Sequence, residues 1–119
     1  MEISNLSEKQ SFYIAVILYE SSSTKPEYKP LYQECFVLIK ATSVEEAREK
    51  ALSHASQEQV SYQNEKGDTI TWSLKQVVDV NSVLYDEFDD FTELYARHFR
   101  NYEAYRLFES LLSDSVSEL

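Results

Sequence analysis

A histidine and two charged residues near the C-terminus are the side chains of this sequence best suited to chemistry at neutral pH. His98 follows Glu93 and Arg97 closely, so one segment supplies an imidazole, a carboxylate and a guanidinium. Such a set could bind a small ligand or transfer a proton. The other histidine, His54, would join them only if the fold brought distant segments together. We expect no catalytic residue and keep Glu93, Arg97 and His98 as the less favoured hypothesis of a ligand-binding or enzymatic pocket.

An acidic run precedes this segment. Its carboxylates are hard oxygen ligands of the kind that Ca²⁺ and Mg²⁺ prefer, and they belong to Asp86, Glu87, Asp89 and Asp90. The run fails the EF-hand template because Phe88, Phe91 and Arg97 stand at the third, sixth and twelfth positions. We interpret it as a solvated acidic loop and expect no metal and no cofactor, although the pattern leaves divalent-metal binding by this loop open.

The remaining signals for nucleophilic or nucleotide chemistry are weak. Cys35 lies inside an apolar run with no base or cation nearby to lower its pKa, which favours a structural buried thiol. The chain has one glycine, so it cannot build a glycine-rich phosphate loop. It also lacks a Gly-x-Ser-x-Gly elbow, although a Ser-His-Asp arrangement stays open.

The charge balance bears on the partner. The 119 residues include 21 acidic and 11 basic side chains, for a net charge of -10. Binding to nucleic acid or to an anionic membrane requires clustered Lys and Arg side chains that neutralise phosphate, so we expect neither partner. No apolar run approaches the roughly 18 residues that span a bilayer, and no secretory leader is evident. With a single cysteine, these features lead us to expect a cytoplasmic protein.

Two strands and a helix are indicated in the first half of the chain. Ser11–Glu20 and Tyr32–Ala41 are β-branched and aromatic runs, which predict two antiparallel strands joined by a loop over Ser21–Pro30. Ser43 and Glu46 then form a capping box, in which the Glu46 carboxylate is expected to reach back to the Ser43 amide. The helix that follows, Val44–Gln57, has one mostly alanine stripe, so we expect it to lie close to the sheet. The stripe consists of Val44, Ala47, Ala51, Leu52 and Ala55.

The second half predicts further strands and a terminal helix. A short strand over Val60–Tyr62 leads into a turn that ends at Gly67. Thr69–Val80 alternates well, and its phase change predicts a bulge near Gln76–Val77. Thr92–Phe99 is expected to be the last strand. Asn101–Leu112 reads as a helix whose apolar residues cover more than one face, so it needs covering on several sides.

Several motifs also follow one another in an informative order. They are the helix start Ala-Thr-Ser-x-Glu-Glu-Ala at Ala41–Ala47, the turn Tyr-x-Asn-x-x-Gly at Tyr62–Gly67, a strand with Trp72, and Glu-x-Tyr-x-Arg at Glu93–Arg97. Their order resembles a family of small bacterial proteins, many of them cyanobacterial, known as domain of unknown function 4288. The resemblance covers Phe12–Phe99 and implies an α+β domain in a bacterial cytosol, with no catalytic residue. Relatives tend to have a glycine where Phe91 stands, which implies a different turn here.

Together these elements predict a single α+β domain over residues 11–112, in the order β-β-α-β-β-α, between flexible segments 1–10 and 113–119. Its antiparallel sheet should have four to five strands, with one helix on a face and a second helix at the C-terminus. The absence of a catalytic constellation and the nine tyrosines favour a non-enzymatic interaction module, a homo-oligomer or the binder of another protein. The candidate interaction residues are Tyr102, Tyr105, Phe108 and Leu112 with Asp86, Glu87, Asp89 and Asp90. An acidic inhibitor or nucleic-acid mimic that occupies a basic protein surface is the alternative.

Overall fold

A computed structural model describes residues 9–109. Within them, four antiparallel strands and two helices form a mixed α+β structure, which confirms the predicted class. The elements are β1 (Ser11–Ser23), β2 (Tyr32–Ala41), α1 (Val44–Ser56), β3 (Val60–Gln63), β4 (Thr69–Ser82) and α2 (Tyr102–Phe108). The sheet order is β2-β1-β4-β3, so β1 and β4 are central. Leu112 and most of the two segments predicted to be flexible, 1–10 and 113–119, lie outside the described residues.

Strand β1 is buried because both of its faces are covered. Ala15, Val16 and Ile17 have no exposed surface, as expected for a central strand with apolar residues on both faces. Ala15 and Ile17 face α1 and belong to the main core cluster. The strand is longer than predicted, since Ser21–Ser23 belong to it rather than to the loop. Ser21 is buried, and its Oγ accepts a hydrogen bond from the Leu31 amide at 2.8 Å.

Helix α1 starts at the predicted cap and packs closely on the sheet. The Ser43 Oγ accepts from the Glu46 amide at 3.1 Å. The Glu46 carboxylate bonds to the amide and hydroxyl of Thr42 rather than to Ser43, and these bonds lower the pKa of Glu46. The alanines of the predicted stripe, Ala47, Ala51 and Ala55, are fully buried, whereas Leu52 is 51% exposed.

Strand β4 contains two irregularities that bracket the predicted bulge. Its register with β1 shifts between Val16 and Ile17 and again between Leu18 and Tyr19, so Val78 and Lys75 have no cross-strand partner there. The extra residues let Leu74, Val77 and Val80 all pack on the α1 side. A bulge of this kind also bends a strand and increases its twist.

The prediction of a last strand over Thr92–Phe99 is wrong. This segment is irregular and crosses the sheet on the face opposite α1, attached mainly through side chains. Asn81 Nδ2 donates to the Ala96 carbonyl at 3.4 Å, and the rings of Phe36 and Tyr95 lie 5.8 Å apart. Because the segment lies over the sheet rather than beside an edge strand, it has no backbone ladder to join.

Candidate interaction groove

The sheet face opposite α1 is only partly covered, and we call it the open face. Its residues include Ile14 on β1, Phe36 and Leu38 on β2, and Asp79 on β4. The chain after β4 crosses this face, and the ring centroids of Phe88 and Phe12 are 5.2 Å apart. Phe36 nevertheless stays 62% exposed and Leu38 48% exposed. Large apolar side chains are thus left accessible beside a well-packed core.

A polar cluster fixes the crossing segment to the open face. The Tyr95 hydroxyl donates to Asp79 Oδ2, and Arg97 Nε lies 3.7 Å from the same oxygen. The other oxygen, Asp79 Oδ1, accepts from the Val80 amide at 3.0 Å. Burial of the Tyr95 ring and the hydrogen bond to Asp79 raise the pKa of Tyr95 from 10.0 to about 12. Asp79 therefore holds two side chains of the crossing segment in place.

This cluster predicts a late tyrosine titration. Because the folded-state pKa of Tyr95 is raised, the folded protein holds this proton more tightly than the unfolded chain does. The stability that the cluster provides should be complete below pH 10 and be lost as the pH rises toward about 12. Ultraviolet absorbance of tyrosinate should show a late component in the wild type. Its pKa should fall toward 10.0 in Asp79→Asn, and an unchanged late component in that variant would contradict the assignment.

The Phe36–Tyr95 contact separates two cavities on the open face. One, of about 370 Å³, is lined by apolar residues such as Ile14, Leu38 and Phe88 together with Asp89. The other, of about 650 Å³, lies between β2 and α2, and we call it the groove. Its apolar wall consists of Phe36, Val78, Phe99, Tyr105 and Phe108, and its charged and titratable residues are Glu34, Arg97, His98 and Glu109.

Helix α2 forms one wall of the groove and buries none of its own residues. It begins at Asn101, whose Oδ1 accepts from the Ala104 amide at 3.0 Å, and Tyr105 stacks on Phe99 at 4.9 Å. Of the candidate interaction residues, Tyr102, Tyr105 and Phe108 are all on this helix and all exposed. The structure therefore places Tyr105 and Phe108 in the groove, while Tyr102 lies outside its lining.

The three residues of the less favoured pocket do not share one cavity. Arg97 and His98 line the groove, whereas Glu93 lines a smaller neighbouring cavity that also contacts His98. Arg97 is already paired with Asp79. His54 lies on the exposed side of α1, away from the open face, so the two histidines are not brought together. Pocket chemistry that needs all three residues has no common cavity here.

The predicted acidic loop is exposed. Asp86, Glu87, Asp89 and Asp90 are all accessible, and none of them forms a salt bridge within residues 9–109. In the same part of the chain, no three His, Cys, Asp or Glu side chains are grouped closely enough to hold a metal ion. Cys35 is half-buried rather than fully buried as expected.

Phe91 closes this loop in a conformation that favours glycine. Its φ is 67°, and its side chain is fully exposed. A left-handed backbone costs about 1–2 kcal/mol for a residue with a Cβ, and an exposed ring regains little of that by packing. The resemblance implies a glycine in relatives at this position. The turn keeps the backbone that a glycine would adopt, even though a phenylalanine occupies it.

The groove was only partly predictable. Sequence reasoning found the α2 residues through their all-round apolar pattern but missed Glu34, Phe36 and Val78. Strand β2 has apolar residues on both faces, which by itself predicts that both faces are covered, so the exposure of Phe36 and Leu38 had no signal in the sequence. The pairing of Asp79 with Tyr95 could not be predicted either, because the two residues are 16 positions apart in the sequence and no local pattern connects them.

Comparisons with known proteins identify a family and supply no activity. Residues 12–96 match the family model described as "Domain of unknown function (DUF4288)". No curated protein and no solved structure matches the chain significantly. Among residues 9–109, neither helix is long and apolar enough to cross a membrane.

Proposed function

Because the chain belongs to the DUF4288 family, whose function is unknown, we propose from its surface that the protein is a non-enzymatic interaction module that self-associates through the open face. The observation that carries this proposal is the groove, with an apolar wall built by exposed rings. Helix α2 leaves Phe108 76% exposed. A short helix with no buried residue is poorly stabilised by its own chain, which supports a second polypeptide as its covering.

The charges of the groove favour a second copy of the chain as the occupant. Glu34 and Glu109 supply negative charge, while Arg97 and His98 supply positive or titratable groups. In a twofold interface the same patch is used on both subunits, so a patch with both signs can pair acid with base across the axis. A uniformly charged patch would repel its own copy.

Sedimentation velocity over a range of concentrations tests self-association. The wild type should form dimers as concentration rises. Phe108→Asp should raise the dimer dissociation constant about 30-fold, since loss of an aromatic anchor typically costs about 2 kcal/mol or more. Leu52→Asp is the matched control, because Leu52 is 51% exposed on α1, on the other side of the sheet. A wild type that stays monomeric at every concentration would refute the proposal.

A second candidate is an acidic inhibitor or nucleic-acid mimic that occupies a basic protein surface. Residues 76–96 include no Lys or Arg, and the carboxylates of the acidic loop are exposed with Phe91 at its end. A basic surface with a small apolar depression would fit this loop. Salt discriminates between the two functions, because association through exposed carboxylates weakens steeply with ionic strength and apolar association does not.

A further inference from the structure

One edge of the sheet, as described over residues 9–109, is the regular ten-residue strand β2, whose outer side is unpaired. Within residues 9–109, β2 pairs with β1 on one side and with no strand on the other. Its register with β1 is unbroken from Ser11↔Ala41 to Glu20↔Tyr32, and it has no proline. Natural edge strands are usually shortened, bulged or interrupted by proline, because a regular edge is a template for pairing with another chain. Strand β2 carries none of these three features.

Hydrogen bonds identify which backbone groups of β2 face the edge. The Ser21 amide donates to the Leu31 carbonyl at 2.9 Å, one step beyond the Glu20↔Tyr32 pair. Bonded and non-bonded pairs alternate along an antiparallel ladder, so the odd-numbered residues of β2 bond to β1. The N–H and C=O groups of the even-numbered residues therefore point outward. The Lys40 carbonyl agrees, since it accepts from Lys50 Nζ at 2.7 Å.

We propose that β2 pairs antiparallel with β2 of a second copy, about a twofold axis at Val37. This inference rests on the self-association proposed above and names the strand at its centre. In this register Glu34 lies opposite the partner's Lys40, and Phe36 lies opposite the partner's Leu38. All four are even-numbered, so each pair exchanges two backbone hydrogen bonds through groups that point away from β1.

The side chains select this register over its neighbours. Glu34 and Lys40 are both exposed, and neither forms a salt bridge within residues 9–109. A shift of two residues would place Glu34 opposite the partner's Leu38, or Lys40 opposite the partner's Phe36. Only the axis at Val37 pairs opposite charges and, at the same time, pairs the two exposed apolar side chains.

The pairing places the second copy against the β2 wall of the groove, on the surface proposed above for self-association. Glu34 and Phe36 line the groove from the β2 side, so the second copy would continue the open face beyond this wall. The partner's Lys40 would then lie close to the acidic residues of the groove. Two contacts must be released, the hydrogen bond from Lys50 Nζ to the Lys40 carbonyl and the contact of the Lys40 ammonium with the Phe12 ring, 5.5 Å from its centroid. Lys40 and Lys50 are long exposed side chains that can turn away at little cost.

A charge exchange tests the register. Glu34→Lys places like charges opposite each other twice in the dimer, and Lys40→Glu does the same with the opposite sign. Each single variant should raise the dimer dissociation constant about tenfold. The double variant Glu34→Lys/Lys40→Glu should return to within about threefold of the wild type. Thermal unfolding of each variant at a concentration where it is monomeric shows that the fold is retained.

A cysteine at the axis tests the geometry independently. In a Cys35→Ser background, Val37→Cys faces its own copy in a non-hydrogen-bonded pair, where a disulfide fits, so mild oxidation should give a covalent dimer. Gln33→Cys in the same background is the control, because its copy lies about 26 Å away along the paired strands.

If the wild type dimerises but the charge exchange fails to rescue and Val37→Cys does not cross-link, the β2 register is wrong while self-association stands. A monomeric wild type would overturn both.

Discussion

Replacing Ile17 with alanine is expected to lower the free energy of unfolding by about 3 kcal/mol. Ile17 has no exposed surface and is among the largest fully buried side chains. It lies in the central strand between Cys35 on β2 and Val77 on β4, within the core cluster beneath α1. Several neighbours in that cluster are alanines, which have no flexible atoms to move into the space. The cavity should therefore stay largely open.

Urea unfolding followed by circular dichroism measures this loss. Val60→Ala is the control, because Val60 is also β-branched and in a strand but is 55% exposed at the sheet edge. Its loss should stay below about 0.5 kcal/mol. Equal losses in the two variants would contradict the assignment of the core to the α1 face of β1. Since small domains have only about 5–15 kcal/mol of stability, Ile17→Ala should also lower the midpoint of thermal unfolding by about 10 °C or more.

The elements that could be predicted from sequence are those whose signals are local. Ser43 and Glu46 mark the start of α1 through a capping box, which depends on residues three apart. Strand β1 is apolar on both faces and must be buried whatever its neighbours are. The bulge of β4 was visible as a phase change at Gln76–Val77, because the side chains of a strand must alternate. None of these inferences needs to know what packs against the element.

The wrong prediction, a last strand over Thr92–Phe99, depended instead on which part of the fold lies beside the segment. Thr92–Phe99 alternates like a strand, and its alternation is real, because Tyr95 and Arg97 both point toward Asp79. Periodicity cannot show whether an edge strand with unpaired backbone N–H and C=O groups lies beside the segment. The segment instead lies across the open face, where side chains rather than backbone groups hold it. A pattern of period two indicates that the side chains on one side of a segment are in contact with the protein, but it does not identify the surface that they contact.

The groove is less predictable than the fold for a related reason. Its walls come from β2, from the bulge at Val78 and from residues 97–109, which are distant in sequence. Length and propensity alone do not decide how far the crossing segment covers Phe36. Residue types alone indicated α2 as a candidate interaction element, and two of its aromatic residues, Tyr105 and Phe108, line the groove.

Replacing Ala51 with leucine is expected to lower the free energy of unfolding by about 2 kcal/mol through overpacking. Ala51 is fully buried at the middle of α1, between Ala47 and Ala55, and the helix packs on β1, β2 and β4. Alanines at these three positions let the helix approach the sheet closely. A leucine must either adopt a strained rotamer or push α1 away from β1. Ser53→Leu, on the exposed side of the same helix, adds a similar side chain without crowding and should leave the stability nearly unchanged.

The double variant Ile17→Ala/Ala51→Leu shows whether the two effects share one volume. Both residues belong to the core cluster between α1 and the sheet, so the space vacated at Ile17 can accept part of the added leucine. The double variant should then lose less unfolding free energy than the sum of the two single variants, by at least about 1 kcal/mol. Strict additivity would place the two side chains in separate parts of the core. The close approach of α1 would then depend on Ala51 alone, independently of how β1 is filled beneath it.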